Sequence, residues 1–349
     1  MTSGVTIREV AKRAGVSIAT VSAVLNQSAG VSDLLRERVL DAVQELDYKP
    51  NFAAQSLRSR RSRLLGIILT DIRNPFVSEV AVGFEEGATS LGYQVVIHNT
   101  GDEPGRVGDA LQNLKAAQVA GLVVATALAG DVTLLDHLQG LKVPYVFINR
   151  TPYPGVMNYV GSDNVAIGQT GTRHLLSLGH RKIACITGSP QHSTSWERHS
   201  GYLQAMAEAG IDVPNGYVHW GSGFHEEAGY KAAESLMRLP DRPTAMLVTS
   251  DLMALGAVKA VQAAGLRVPE DVAVVGVDNI SLSDSFIVPL TTVHQPKREM
   301  GLEAAKMLIG LITGKQNGPT SVILPPKLVV RQSCGAVCNG IQDKQLEPA

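Results

Sequence analysis

Apolar residues in the first fifty positions recur at helical spacing, whereas from Leu64 onward they gather into short unbroken runs separated by longer amphipathic stretches. Ile7, Val10, Ala11 and Ala14 form one narrow stripe, with Thr6 placed to cap it and Glu9 three residues on to close a capping box. Gly15 predicts a tight turn. Ser17 then caps a second helix that turns Val21, Val24 and Leu25 inward. A third helix is predicted from near Ser32 to about Leu46, with Leu35, Val39, Val43 and Leu46 in phase, and Pro50 stops it. Two small helices joined by a glycine-containing turn make the helix-turn-helix pattern, in which the second helix enters the major groove of DNA.

Beyond Arg63 the texture changes. Strands are predicted over Leu64–Leu69, Gln94–His98, Leu122–Ala125, Tyr145–Ile148, Ile183–Thr187, Met246–Thr249 and Val272–Val277. Helices are predicted between them, over Val77–Leu91, Arg106–Ala117, Ala166–Leu178, Gly201–Ala209, Ala228–Leu239 and Leu252–Ala264. Gly92, Gly179, Gly210 and Gly265 follow four of these helices, where a left-handed residue ends a helix most easily. Strand–helix alternation at this spacing means parallel sheets covered by helices on both faces. There is too much of it for one ordinary doubly wound sheet. Two similar halves, divided near Ser162–Asn164, account for it better.

Charge separates the same two parts. Residues 1–63 hold ten Lys/Arg against six Asp/Glu, a surplus of four, while the whole chain of 349 residues sums to −1. A basic head on an acidic body is expected when only the head meets a polyanion. Three cysteines, Cys185, Cys334 and Cys338, are too few and too odd in number for a disulfide framework, and no His/Cys set completes a zinc site. The N-terminus lacks the pattern of a signal peptide, and no apolar run approaches the length of a membrane span, so a soluble cytoplasmic protein without a membrane partner is expected. Enzyme motifs are missing: there is no G-x-S-x-G, H-E-x-x-H or G-x-G-x-x-G. Gly310 to Gln316 imitates a P-loop but is one residue short, and reads as a helix terminus. No catalytic residue, no metal site and no cofactor is therefore expected.

The run Ile7 to Ser22 resembles the signature of the LacI/GalR family of bacterial transcription regulators. Val31-Ser32, Leu46 to Asn51, Gly179-His180-Arg181, Ser250 to Gly256 and Leu290 to Pro296 extend that resemblance in order, from about Thr6 to Cys334. It implies an α/β fold: a periplasmic-binding-protein-like, two-lobed, doubly wound body with an N-terminal all-α helix-turn-helix head. The expected division is a head over residues 1–50, a hinge helix and linker over 51–62, a body over 63–340 and a polar tail over 341–349. Within the body the first lobe takes about 63–162 and 294–324, and the second about 163–293 and 325–340, with crossovers near Ser162–Asn164, Thr291–Gln295 and Leu324–Pro326.

The resemblance also assigns residues. Thr6, Ser17, Ile18, Ala19, Thr20, Ser22, Asn26 and Val31 are expected at DNA in the head, and Asn51, Ala54, Gln55, Leu57 and Arg58 in the hinge. Ile18 and Ala19 offer only apolar contact, such as to a thymine methyl. Ala23 departs from the family habit of a longer polar or basic side chain, so it cannot make a bidentate contact to guanine. Leu57 matches the leucine that wedges into the central base step of the minor groove. For a small-molecule effector between the lobes, the expected residues are Asn74, Phe76, His192, Thr194, Arg198, Phe224, Ser250 and Asp278; Asp251 either joins them or caps its helix. These sit after strands, where open parallel sheets bind ligands. Arginine, aspartate and aromatic rings together suit a hydroxyl-rich or heteroaromatic ligand.

The implied function is a sequence-specific repressor that binds a pseudo-palindromic operator as a homodimer and is controlled by a small-molecule effector, a sugar or derivative. Two other controls stay open: a protein partner, as in a global catabolite-type regulator, or a purine-type co-repressor. The tail from Asn339 to Ala349 lacks the leucine heptads that tetramerise some relatives.

Overall fold

The structure is a computed structural model that describes residues 5–25, 30–48, 62–103, 105–153, 155, 157–316 and 318–336. It divides into two units, residues 1–63 and 64–349.

The head holds α1 (Ile7–Ala14), α2 (Ile18–Leu25) and α3 (Asp33–Glu45). The predicted capping box forms: the Thr6 N–H and hydroxyl both donate to Glu9 Oε2, at 2.6 and 2.9 Å. Gly15 follows α1 at φ 64°, ψ 39°, a left-handed turn that costs a glycine little. The Arg38 guanidinium donates to the Ala14 carbonyl at 2.6 Å, and Arg13 donates to Glu45 at 2.7 Å. Ser17 Oγ accepts the Thr20 N–H at 3.1 Å, the second predicted cap. Val10, Ala11, Ala14, Val21, Val24, Val39 and Ala42 bury a small core, with Leu25, Val43 and Leu46 half-buried against it.

The body holds two six-stranded sheets. Its strands are β1 (Leu64–Leu69), β2 (Gln94–Asn99), β3 (Gly121–Val124), β4 (Tyr145–Ile148), β5 (Tyr159–Ser162), β6 (Ile183–Thr187), β7 (Val218–Trp220), β8 (Ala245–Val248), β9 (Ala273–Asp278), β10 (Thr291–His294), β11 (Ser321–Leu324) and β12 (Lys327–Val329). Its helices are α4 (Pro75–Ser90), α5 (Gly105–Ala116), α6 (Val132–Leu141), α7 (Asn164–Ser177), α8 (Ser193–Glu208), α9 (Glu226–Met237), α10 (Asp251–Ala263) and α11 (Lys297–Ile312). The sheet orders are β11-β5-β4-β3-β1-β2 and β12-β10-β9-β8-β6-β7. All pairings are parallel except β10 with β12. Central strands such as β1, β3, β6 and β8 are buried almost throughout, which is why they read as continuous apolar runs. The fold is thus mixed α/β, a helical head followed along the chain by two doubly wound lobes.

The chain passes between the sheets three times, after Ser162, after His294 and after Leu324. His294, expected in the first lobe, instead pairs with Asp278 in the second sheet. The elements that pattern did not predict are β5, β7, β10, β11, β12 and α6. Of α11 only the end near Gly310 was expected, and α8 starts at Ser193 rather than Gly201. The edge strands β7, β11 and β12 are only half-buried, so they lack apolar runs. Close helix crossings, among them the following two, fix the lobes internally. A Cβ at Gly168 or Gly201 would overlap the backbone of the facing helix in the α7–α8 pair, and the same holds for Gly83 and Gly301 in the α4–α11 pair. Neither crossing tolerates a side chain between the backbones.

Candidate effector cleft and DNA-binding head

In each sheet the strand order reverses beside the first strand of the lobe, between β1 and β3 and between β6 and β8. Ligands bind at such switch points, beyond the carboxyl ends of the strands. A cleft of about 880 Å³ lies there, between the lobes. The first lobe contributes Thr70, Asp71, Arg73, Asn74, Phe76, Val77, Gly101, Asp102, Leu128, Asn149 and Arg150, and the second contributes Ser189, Gln191, His192, Thr194, Arg198, the 222–226 loop, Leu252 and Asp278. The lobes touch across it: the Ala129 N–H donates to the Gln191 carbonyl at 2.8 Å, and the Thr151 N–H to Ser193 Oγ at 3.3 Å.

Asn74, Phe76, His192, Thr194, Arg198, Phe224 and Asp278 all line the cleft, as their places after strands imply. Ser250 does not: it is buried as the N-cap of α10, behind the Asp278 carboxylate rather than in the cleft wall. Asp251 faces inward too. Its carboxylate accepts from the Ile280 N–H (3.0 Å), Ser283 Oγ (2.6 Å) and Thr292 Oγ1 (2.6 Å), tying α10 to the chain around β9 and β10. Burial and the nearby Asp278 push its carboxyl up to about 7.

Arg198 is 3 % exposed, and it donates from Nε to Asn164 Oδ1 (2.9 Å) and from Nη1 to the Thr249 carbonyl (2.7 Å). Burial pulls its guanidinium down, opposed by Asp278 and Glu197. Asp278 accepts from Gln295 Nε2 at 2.6 Å. Burial raises its carboxyl, against the pull of Arg198 and Lys297. The Phe224 ring has two cations near it, Arg150 at 5.8 Å and Arg198 at 5.7 Å, with His192 stacked at 5.7 Å.

Asp102 and Arg150 had no sequence motif to announce them. The buried Arg150 guanidinium donates twice to the Asp102 carboxylate, at 2.7 and 3.0 Å. Burial pushes Asp102 up, but Arg150 and then His192 bring it below the usual carboxylate range. His192 Nε2 lies 3.8 Å from the same carboxylate. Burial and then Arg150 hold the His192 imidazole down to about 4, against Asp102. Four buried polar atoms of the lining have no hydrogen-bond partner among the described residues: Asn149 Oδ1, Arg150 Nε, His192 Nδ1 and Thr194 Oγ1. Native proteins rarely leave such atoms without a partner, be it protein, water or ligand.

In the head, Ala19 is exposed on α2, while Ile18 and Val31 are half-buried against the head core. The Ser17 and Thr20 hydroxyls lie 2.9 Å apart in a mutual hydrogen bond, and Ser22 is half-buried on the same helix. Thr6 is exposed and bonded to Glu9. Asn26, Asn51, Ala54, Gln55, Leu57 and Arg58, together with the expected hinge helix and tail, lie outside the described residues. Cys185 and Cys334 are buried free thiols, and Cys338 is outside the described residues. Among the described residues no group of His, Cys, Asp and Glu could hold a metal ion, and no helix is long and apolar enough to cross a membrane. The Gly310 to Gln316 stretch is the end of α11, with Gly314 at φ 70°.

A helix-turn-helix head followed by a two-lobed body with a polar cleft is the plan of a ligand-responsive transcription regulator. Residues 6–51 match the family described as bacterial regulatory proteins, lacI family, and residues 172–334 match a periplasmic binding protein-like domain. The HTH-type transcriptional repressor PurR of Photobacterium profundum is 36 % identical over 329 residues, covering 94 % of this chain and 98 % of that protein. The ribose operon repressor of Escherichia coli (strain K12) is 35 % identical over 328 residues, covering 94 % and 99 %. Among solved structures, the lac repressor dimer bound to operator and the anti-inducer ONPF superposes with a TM-score of 0.81 at 30 % identity, covering 95 % and 99 %. The chain belongs to the lacI family of bacterial regulatory proteins, and is a DNA-binding transcriptional regulator with an effector-binding body.

Proposed function

We propose that this regulator is a repressor that binds a pseudo-palindromic operator as a homodimer in the cytoplasm, and that a neutral carbohydrate in the cleft controls it without being chemically changed. The charge balance of the cleft carries this reading. Arg73 is paired with Asp71 and Arg150 with Asp102, Arg198 has Asp278 as its electrostatic partner, and Glu226 is paired with Lys259. An anionic ligand would find no uncommitted cation among these, and burying its charge is costly without one. The unmatched donors and acceptors at Asn149, Arg150, His192 and Thr194, beside the faces of Phe76 and Phe224, suit a ring carrying several hydroxyls. Ligand and operator are coupled through differential affinity for two lobe arrangements. Ser17, Ala19, Thr20 and Ser22 meet base edges, and Leu57 wedges the central step.

A second reading rests on Phe76 and Phe224, one from each lobe and both in the cleft wall. Two such rings also suit a flat purine base. The test is selection of random DNA duplexes on the purified protein, repeated with D-ribose, cellobiose, gluconate or guanine. An enriched palindrome whose binding changes with a neutral sugar and not with gluconate supports the proposal. A response to guanine alone establishes the second reading, and failure to enrich any palindrome removes both.

A further inference from the structure

Lys297, the first residue of α11, is 2 % exposed, and its neighbours explain why a buried ammonium is kept there. Its Nζ donates to the carbonyl oxygens of Asp278 (2.7 Å) and Asn279 (2.9 Å), and lies 3.6 Å from Glu79 on α4. Asp278 and Asn279 are consecutive non-glycine residues at φ 118° and φ 52°. Backbone in those regions persists only where its surroundings hold it. The ammonium therefore braces a strained turn, and that turn aims the Asp278 carboxylate into the cleft.

The brace comes from the opposite lobe. Asp278 ends a strand of the second sheet, whereas α11 packs against α4, β3, β4 and β5 of the first lobe. Next to Lys297, Arg298 donates to both carboxylate oxygens of Glu86 on α4, each at 2.7 Å. The Gly83–Gly301 crossing brings the two helix backbones into direct contact, with no room for a side chain between them. At its N-terminus α4 carries Phe76, which lines the cleft from the other side. A stability role alone would favour an apolar residue here, because a buried charge costs more than a well-packed side chain of similar volume.

We propose that Lys297 is the positioning residue through which the first lobe senses occupancy of the cleft: its ammonium ties the Asp278–Asn279 turn to the α4–α11 pair. The turn is the element with two states, strained and braced or relaxed and released, as coupling between sites requires. The proposal rests on effector binding in the cleft, so its test has one part that needs no effector.

The first part is hydrogen exchange on the full-length protein. In Lys297→Met, amides of residues 276–282 and of residues 75–90 should both exchange about tenfold faster, with residues 226–237 unchanged. Faster exchange confined to 276–282, or none, overturns the proposal. Glu79→Gln, altering only a half-exposed partner, should shift the same two segments in the same direction and serves if Lys297→Met does not fold. The second part uses a duplex selected by the wild-type protein and D-ribose as the probe. At saturating D-ribose, the ratio of operator affinities with and without sugar should fall about tenfold in Lys297→Met, and an undiminished ratio overturns the proposal. A wild-type protein indifferent to D-ribose counts against ribose as the effector, and the exchange measurement then decides the role of Lys297.

Discussion

Arg150 holds Asp102 with two hydrogen bonds across the crevice where the first sheet reverses its strand order, since the two residues follow β4 and β2, and β3 and β1 lie between. The arginine is 4 % exposed and the aspartate 30 %, so the cation depends on this carboxylate. Asp102→Ala should therefore destabilise the body by about 3 kcal/mol in urea unfolding, the usual cost of stranding one member of a buried pair. The double substitution Asp102→Ala with Arg150→Met should recover at least half of that loss, and a double variant weaker than the single one would refute the dependence.

Acid should weaken the effector response through His192. Burial, with Arg150 adding to it, holds this imidazole at about 4 between the lobes, against an ordinary value of 6.5. The cleft thus favours neutral His192. Closure is fully favourable above pH 6.5 and loses favour as the pH falls toward 4. Effector affinity should therefore fall as the pH drops from 6.5 toward 4, by linkage. In His192→Asn that pH dependence should disappear from calorimetric titrations, and its persistence would point to another group.

Arg198 gives a sharper test of the cleft. Its guanidinium is fixed by Asn164 and the Thr249 carbonyl and lies against Phe224. Arg198→Lys keeps the charge but not the planar fork, and Arg and Lys are poor substitutes at such sites. Any thermal stabilisation that an effector gives the wild type should vanish in this variant. A retained shift would remove Arg198 from the effector contacts.

Gly201→Ala tests the α7–α8 crossing. The new methyl would overlap the Val165 carbonyl, which is backbone and cannot rotate away. A loss of about 3 kcal/mol is expected, the upper range for overpacking. Gly179→Ala, which meets nothing but sits at φ 92°, should cost less than half as much through backbone strain alone. The reverse order would sink the steric account.

The sequence spoke most clearly where one physical cause dominates. β1, β4 and β6 were bounded correctly because strands buried on both faces must be apolar throughout. The first half of α8 was invisible for the opposite reason: Ser193, Thr194 and Arg198 are buried but polar, so no apolar stripe marks their turns. Function erased the periodic signal where the cleft is lined. Arg198 was assigned through a family motif and Asp278 through its place after a strand, and both line the cleft. The Asp102–Arg150 pair was missed because its members are 48 positions apart and are brought together only by the strand order. Ser250 was misplaced because position after a strand says nothing about which way a side chain turns.

The three passages of the chain between the sheets also bear on synthesis. The core of the first lobe includes Met300, Ala304, Ala305, Met307, Leu308 and Ile309, all from α11, which packs on α4 far upstream in the chain. During translation, at about 5–20 residues per second, the part of α4 that α11 covers lacks that partner until nearly all of the message has been read. A truncated product ending before Lys297 would leave that face exposed to chaperones and proteases. Premature stops would thus mark the unfinished body for removal, whereas the head carries a core of its own.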